Sequence, residues 1–265
     1  YNNPEKLLTD YYEGMVLGEI WGYRIDGLFA SDEEATEYTS KINQDFVNAR
    51  ILSDKVEPYY RAGDLKFRDL DNNNVINKGD DTVYDPGDRE IIGNETPRYN
   101  YSFRLGADWN GFDLGIFFQG VGKRDWYPSH LSTGFWGPYA RAFTSFIPEN
   151  FMDQCWSEEN PGGYLPRFRG YQTFADSQLG VNNDRYLQDA SYIRLKNLTV
   201  GYTLPVLKKV FTKLRVYFTG ENLWYWSPMK KYTKYIDPEA AGGNGNTGMA
   251  YNYSRNFSVG VDITF

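Results

Sequence analysis

The last ten residues alternate without a break. Asn256 to Phe265 reads NFSVGVDITF, with Phe257, Val259, Val261, Ile263 and Phe265 on one side of an extended chain. Asn256, Ser258, Gly260, Asp262 and Thr264 fall on the other. Successive side chains of a strand point to opposite faces, so this period of two gives one face suited to hydrocarbon and one suited to water. The pattern recurs upstream. Tyr99, Tyr101, Phe103, Leu105, Ala107 and Trp109 share a face, Asn110-Gly111 supplies a tight-turn pair, and Phe112, Leu114, Ile116 and Phe118 then alternate with Asp113, Gly115, Phe117 and Gln119. Tyr192 to Leu204 and Leu214 to Trp226 form a second hairpin, and Met15 to Phe29 reads as a weaker sixth strand broken by glycines.

The connections sort by length. Residues 30–98, 122–190 and 227–253 are long, whereas 110–111 and 205–213 are short. A transmembrane barrel has short periplasmic turns and long extracellular loops, and the parity puts residue 265 on the periplasmic side. No stretch approaches the ~18 consecutive apolar residues of a membrane helix. Aromatics make up 18% of the chain, including 23 tyrosines, a richness that barrels place in girdles at both lipid interfaces. An 11-residue strand tilted by ~40° spans ~28 Å, enough for the ~25 Å apolar band. The fold class expected is therefore all-β, with strands of a large antiparallel transmembrane β-barrel and long extracellular loops. Arg104, Asp108, Asp113, Gln119, Arg194, Lys196, Arg215 and Glu221 are the polar residues expected to line its lumen.

The net charge of −7 and the lack of a basic stripe exclude nucleic acid as a partner. Cys155 is the single cysteine, so an internal disulfide is impossible, and His130, the single histidine, forms no metal site by itself. No nucleophile–base constellation accompanies either residue, and no pair of carboxylates stands out as a glycosidase pair. The chain is not expected to be an enzyme.

Several stretches together resemble one family: LGEIWGYRIDGLF, AGDLKFRDLDNNNVI, IIGNETPRYNYSFRLGADWNGFDLGIFFQGVGKRDW, YLQDASYIRLKNLTVGYTLP, LRVYFTGENLW and FSVGVDITF. They are similar to the C-terminal region of SusC/RagA-type TonB-linked outer-membrane transporters, in the same order over nearly the whole chain. The resemblance implies a plugged barrel of 22 strands in a Gram-negative outer membrane. It also implies TonB-driven import of a glycan oligosaccharide or, less readily, a peptide, with a SusD-like surface lipoprotein as lid. On this reading residues 1–265 are the C-terminal part of the barrel domain, and plug, TonB box and N-terminal strands lie outside it. Six strands would leave two open edges in lipid, so the piece is expected to need the remainder of the same barrel in order to fold. The other architecture considered is a secreted, calcium-stabilised, β-rich glycan-binding module, which loops near 70 residues disfavour.

Two loop constellations carry chemistry. DLDNNNVINKGD places Asp69, Asp71, Asn73, Val75, Asn77 and Asp80 at positions 1, 3, 5, 7, 9 and 12 of a calcium loop, Val75 through its carbonyl, with Ile76 as apolar anchor. Asn74 stands where such loops carry glycine and Asp80 where they carry glutamate; the alternative is an Asn/Asp-rich turn closed by its own hydrogen bonds. The long loop 122–190 carries Trp126, Tyr127, Phe135, Trp136 and Tyr139 beside Arg141. These are expected to meet substrate or the lid, aromatic faces stacking on sugar or peptide groups. The alternative is that they pack on one another to hold the loop. A short helix is expected near Pro148.

Overall fold

The computed structural model describes residues 2–44, 60–129, 132–140, 145, 147–169, 179–205, 212–241 and 252–265. The chain divides into two compact units, one of residues 97–124, 189–241 and 251–265 and one of residues 1–96, 125–188 and 242–250.

The first unit is a single antiparallel sheet. Its strands are β1 (Tyr99–Trp109), β2 (Phe112–Gly122), β3 (Tyr192–Leu204), β4 (Lys213–Trp226) and β5 (Asn256–Thr264), in spatial order β5-β4-β3-β2-β1. All of them draw on the set Val, Ile, Tyr, Phe and Thr, β1 on its Tyr and Phe alone, side chains that sit well on a pleated surface. Asn110 and Gly111 both take positive φ, at 49° and 87°, which matches the twist of the flanking strands and fixes the β1–β2 register. Pairing then runs without a slip from Trp109↔Phe112 to Tyr99↔Gly122.

Register assigns every side chain to a face. Phe118 pairs with Phe103 on one side and Leu195 on the other, Val216 with Val261, and Phe218 with Val259, all on the apolar face. The eight lumenal candidates fall on, or reach to, the opposite face. One irregularity preserves this sorting: β3 is bulged between Leu195 and Asn197. Before it Ile193 and Leu195 face the apolar side; after it Leu198, Val200, Tyr202 and Leu204 do. The extra residue, Lys196, absorbs the change of parity.

The lumenal face carries its own packing. The Tyr217 ring lies over Gly260, and a methyl group there would collide with it. Asp113 on β2 and Arg215 on β4 are separated by β3, yet Arg215 donates to both Asp113 oxygens at 2.6 and 2.8 Å and to Asp262 on β5 at 3.0 Å. Gly201, the β3 residue between them, makes this reach possible, because a Cβ there would strike both partners.

Every residue of β1 and all but one of β5 are exposed. Phe257 and Val259 retain 64% and 77% of their surface. Apolar side chains left open along a whole face are costly in water and ordinary in lipid. Among the described residues no helix is long and apolar enough to cross a membrane, which says nothing of strands.

The second unit is built from segments that the sequence presents as long connections. The expected sixth membrane strand belongs here. Met15–Phe29 does not join the sheet but divides in two: Glu19–Tyr23 pairs with Arg89–Asn94, and Ile25–Leu28 with Leu65–Phe67. Gly18 and Gly27, at φ 87° and 145°, bend the chain where a membrane strand would run straight. The helix Asp32–Lys41 starts on Ser31, whose hydroxyl accepts from the Glu34 N–H, and is tied down by Glu34–Lys66 at 2.9 Å. Near Pro148 the helical element is a single 3-10 turn, Met152–Gln154.

The apolar face yields a prediction. Spin labels at Phe257, Val259, Val261 and Ile263 in the complete membrane-inserted protein should respond strongly to lipid-phase oxygen, and labels at Ser258 and Asp262 only weakly. Equal oxygen access on both faces would contradict the assignment.

Candidate functional site

Three places gather chemistry-bearing groups. The first is the Asp/Asn loop. Asp69 accepts from the Asn74 N–H at 2.8 Å, Asp71 from the Asn73 N–H at 3.0 Å and Asn73 Oδ1 from the Val75 N–H at 2.6 Å. Asn72 and Asn74 take the left-handed conformation, at φ 60° and 64°, which asparagine tolerates better than most residues. Val75–Ile76 forms a short parallel ladder with Asn43–Gln44, and Ile76 is fully buried in the core of this unit.

The structure revises the carboxylate set. Oxygens of Asp69, Asp71 and Asp88 lie within 4.8 Å of one another. Asp80 is outside this cluster; it sits in an exposed turn with its N–H on Asp85. Asp88 follows Asp69 by too many residues for the 12-residue motif to find it. It is fully buried and accepts from the N–H groups of Leu70 and Asn77 at 2.8 and 2.9 Å. Burial, and then the charges of Asp71 and Asp69, push its pKa above the usual carboxylate value against the pull of those N–H groups. Asp69 Oδ1 is buried with no hydrogen-bond partner among the described residues.

The second place is the aromatic loop, and here packing displaces recognition for most of the expected set. Trp136 and Tyr139 have no exposed surface. The Trp136 indole donates to the carbonyls of Pro128 and Ser129, and its ring meets Phe135 and Tyr186 edge-on at 4.6 and 5.1 Å. The Tyr139 hydroxyl donates to the Pro166 carbonyl at 2.6 Å. These rings, with Phe67, Leu65 and Leu179, form the core of the loop unit. The expectation that Phe135, Trp136 and Tyr139 meet substrate is therefore corrected: a loop this long needs an interior, and they supply it. Trp126 and Tyr127 instead line a recess of about 450 Å³ with Trp21, Glu19, Arg89 and Asn182. The Tyr127 hydroxyl donates to the Val181 carbonyl at 2.8 Å and accepts from Asn183 at 2.9 Å. Arg141 and His130 lie outside the described residues.

The third place has no local sequence motif. Arg194, on the lumenal face of β3, is almost wholly buried. It pairs with Asp237, and with Glu239 at 3.1 Å, and the rings of Tyr225 and Tyr253 lie 4.7 and 5.2 Å from its guanidinium. Lys196 joins Glu239 at 2.9 Å. Arg124 donates to the carbonyls of Pro238, at 3.3 Å, and Ala241. Residues 227–241 are thereby tied to the lumenal face. The lone signal in the sequence was the arginine and lysine of β3, which read as ordinary lumen hydration.

A single antiparallel layer with one hydrocarbon face and one polar face is the wall of an outer-membrane β-barrel. No family model matches the chain. It is, however, similar to TonB-dependent receptors. It is 29% identical over 269 residues to TonB-dependent receptor P3 of Formosa agariphila, covering 96% of this chain and 22% of that protein. It is 28% identical over 217 residues to receptor P26 of the same organism, covering 77% and 20%. Among solved structures, the RagAB peptide importer in its closed-closed state superposes with a TM-score of 0.52 at 21% identity, over 93% of this chain and 23% of that one. The open-open state gives 0.51 at 20%, over 97% and 25%. The fold is thus that of part of a TonB-dependent outer-membrane barrel, and the outer membrane is its location. The chain spans about a fifth of the length of the curated relatives it matches.

The core also sets the reactivity of Cys155. Burial raises its thiol pKa, partly offset by the Tyr139 hydroxyl 3.5 Å away. In the native complete protein, maleimide at mildly alkaline pH should leave Cys155 unlabelled, and denaturant should make it label fully. Peptide mapping that finds native labelling would show that this core opens.

Proposed function

We propose that this chain forms part of the barrel wall of a TonB-dependent importer that carries a nutrient oligomer, glycan ahead of peptide, across the outer membrane. The two-faced sheet carries the reading. It supplies a lipid face and a polar lumenal face, and the similar proteins are receptors and an importer. A surface lipoprotein of the SusD type is the partner proposed for its extracellular side, and TonB the partner for a plug elsewhere in the complete receptor. The recess bordered by Tyr127, Trp21, Glu19, Arg89 and Asn182, with Trp126 buried beneath it, is the first place in the loop unit where an oligomer could rest. A peptide is the second reading, favoured by the similarity to a peptide importer. Deleting the gene for the complete receptor should abolish growth on one oligosaccharide class and leave monosaccharide growth intact. Lost growth on peptides alone would move the reading to peptide, and unimpaired growth on every oligomer would reject import.

We further infer that the Asp/Asn loop holds a calcium ion, with Asp69, Asp71, Asn73 and the Val75 carbonyl as ligands and Asp88 in the role that the linear motif gives to Asp80. The buried, unpartnered Asp69 oxygen and three converging carboxylates support it. Calcium at ~100 times its Kd would stabilise the loop unit by about 2.7 kcal/mol. In the complete receptor Asp88→Asn should erase calcium-dependent protection of this loop from proteolysis, and Asp80→Asn should leave most of it. The reverse order would restore the linear motif, and no calcium effect in the unsubstituted protein would leave a hydrogen-bonded turn.

A further inference from the structure

The long connection after β4 does not stand away from the sheet. Its residues 227–241 fold back over the lumenal face, at the end remote from residue 265, which loop parity makes the extracellular end. Val121, Tyr192 and Arg194 share that end of the lumenal face and are buried, whereas Asn197, Glu221 and Ser258, further along it, are exposed. Four successive strands hold this strap, through their ends or the residues flanking them. Beside β2, Arg124 donates to the carbonyls of Pro238, at 3.3 Å, and Ala241. On β3, Arg194 pairs with Asp237, and Lys196 with Glu239 at 2.9 Å. On β4, the Tyr225 carbonyl accepts from Lys230 at 2.6 Å. Ahead of β5, the Asn252 side chain accepts from the Asp237 N–H at 3.2 Å and donates to the Tyr235 carbonyl at 3.0 Å.

The strap also has an interior. Met229, Thr233, Ile236 and Ala241 are buried, and the Thr233 N–H donates to the Met229 carbonyl at 2.8 Å. Asp237 is the junction: its carboxylate accepts from Arg194 and from the Glu239 N–H, the latter at 2.9 Å, and its carbonyl accepts from the Ala241 N–H at 2.9 Å. Segments that open as lids have few buried apolar contacts and exposed hydrogen bonds. Here both are reversed, and lifting the strap would have to break ties to four strands together.

We propose that residues 227–241 are a fixed shelf inside the mouth of the barrel rather than a moving gate, with Arg194 as the positioning residue that holds the shelf to the wall. One packed layer of chain takes about 10 Å, so the shelf limits the width of what can enter along this side. That limit rests on the import reading; the immobility of the shelf does not.

Double electron–electron resonance tests the immobility in the complete, lipid-embedded receptor, with spin labels at Lys234→Cys on the strap and Val259→Cys on the lipid face of β5, both exposed sites. Samples are measured alone and with the purified C-terminal domain of TonB. One narrow distance, the same in both, is expected. Two distances, or a shift on adding TonB, would make the strap a gate and overturn the proposal, and this comparison needs no change at Arg194. Arg194→Gln should broaden the distribution about twofold, as release to local opening does, and Arg194→Lys should partly restore it. An unchanged width in Arg194→Gln would remove the positioning role; Asp237→Asn, close in shape, probes the same tie if Arg194→Gln fails to assemble. The width limit is read at Ser258→Cys on the lumenal face, in intact cells. A polyethylene-glycol maleimide should label it several-fold faster in the loosened variant than in the parent, while N-ethylmaleimide labels both alike. Equal polymer labelling would overturn the width limit. A single fixed distance together with unimpaired growth of the deletion strain on every oligomer would remove the import reading and leave the shelf standing.

Discussion

Backbone hydrogen bonding governs the sheet unit. In hydrocarbon each unpaired N–H or C=O costs several kcal/mol, a penalty that a few such groups raise above the ~5–15 kcal/mol net stability of a domain. Long strands paired in register meet this demand internally: the β1–β2 ladder does so over its whole length, and the β3–β4 ladder on both sides of the bulge at Lys196. The outer sides of β1 and β5 carry no ladder among the described residues. The same demand falls on them, and further strands of one barrel are the economical answer.

A bilayer also dictates which side chains are allowed where, and that is why the sheet was legible from its residues. Strict alternation in β1, β2 and β5 translated directly into faces. β3 was harder, because its apolar positions change parity at Lys196. Read as one strand of period two, Ile193 and Leu195 would fall on the opposite face from Leu198, Val200, Tyr202 and Leu204; the bulge reconciles them, and the parity break was its trace in the sequence. Met15–Phe29 misled for the opposite reason. Short ribbons inside the loop unit alternate as well, and only Gly18 and Gly27 separate such a segment from a membrane strand.

The loop chemistry was legible in type but less so in place. Local motifs set Asp69, Asp71 and Asn73 correctly in one turn, because their hydrogen bonds run to residues two to five positions away. Asp88 arrives through a tertiary fold and has no local signature. The aromatics were ambiguous for a physical reason: ring size and polarity suit a sugar platform and a small core equally well. Fixing the loop in space requires apolar volume, and Trp136, Tyr139 and Tyr186 provide it. Arg194 shows the same limit from the polar side, since nothing near it in sequence announces Asp237 or Glu239.

The bridge at Arg215 acts as a vernier for the whole sheet. One guanidinium reads the positions of four consecutive strands: Asp113 on β2, the gap left by Gly201 on β3, its own place on β4 and Asp262 on β5. A slip of a single residue in β3 would set a side chain in the gap, and the same slip in β5 would carry Asp262 to the lipid side. The scale closes at one setting. Short turns bring neighbouring strands together in pairs, but a mark legible across four of them lets the hairpins be aligned with one another.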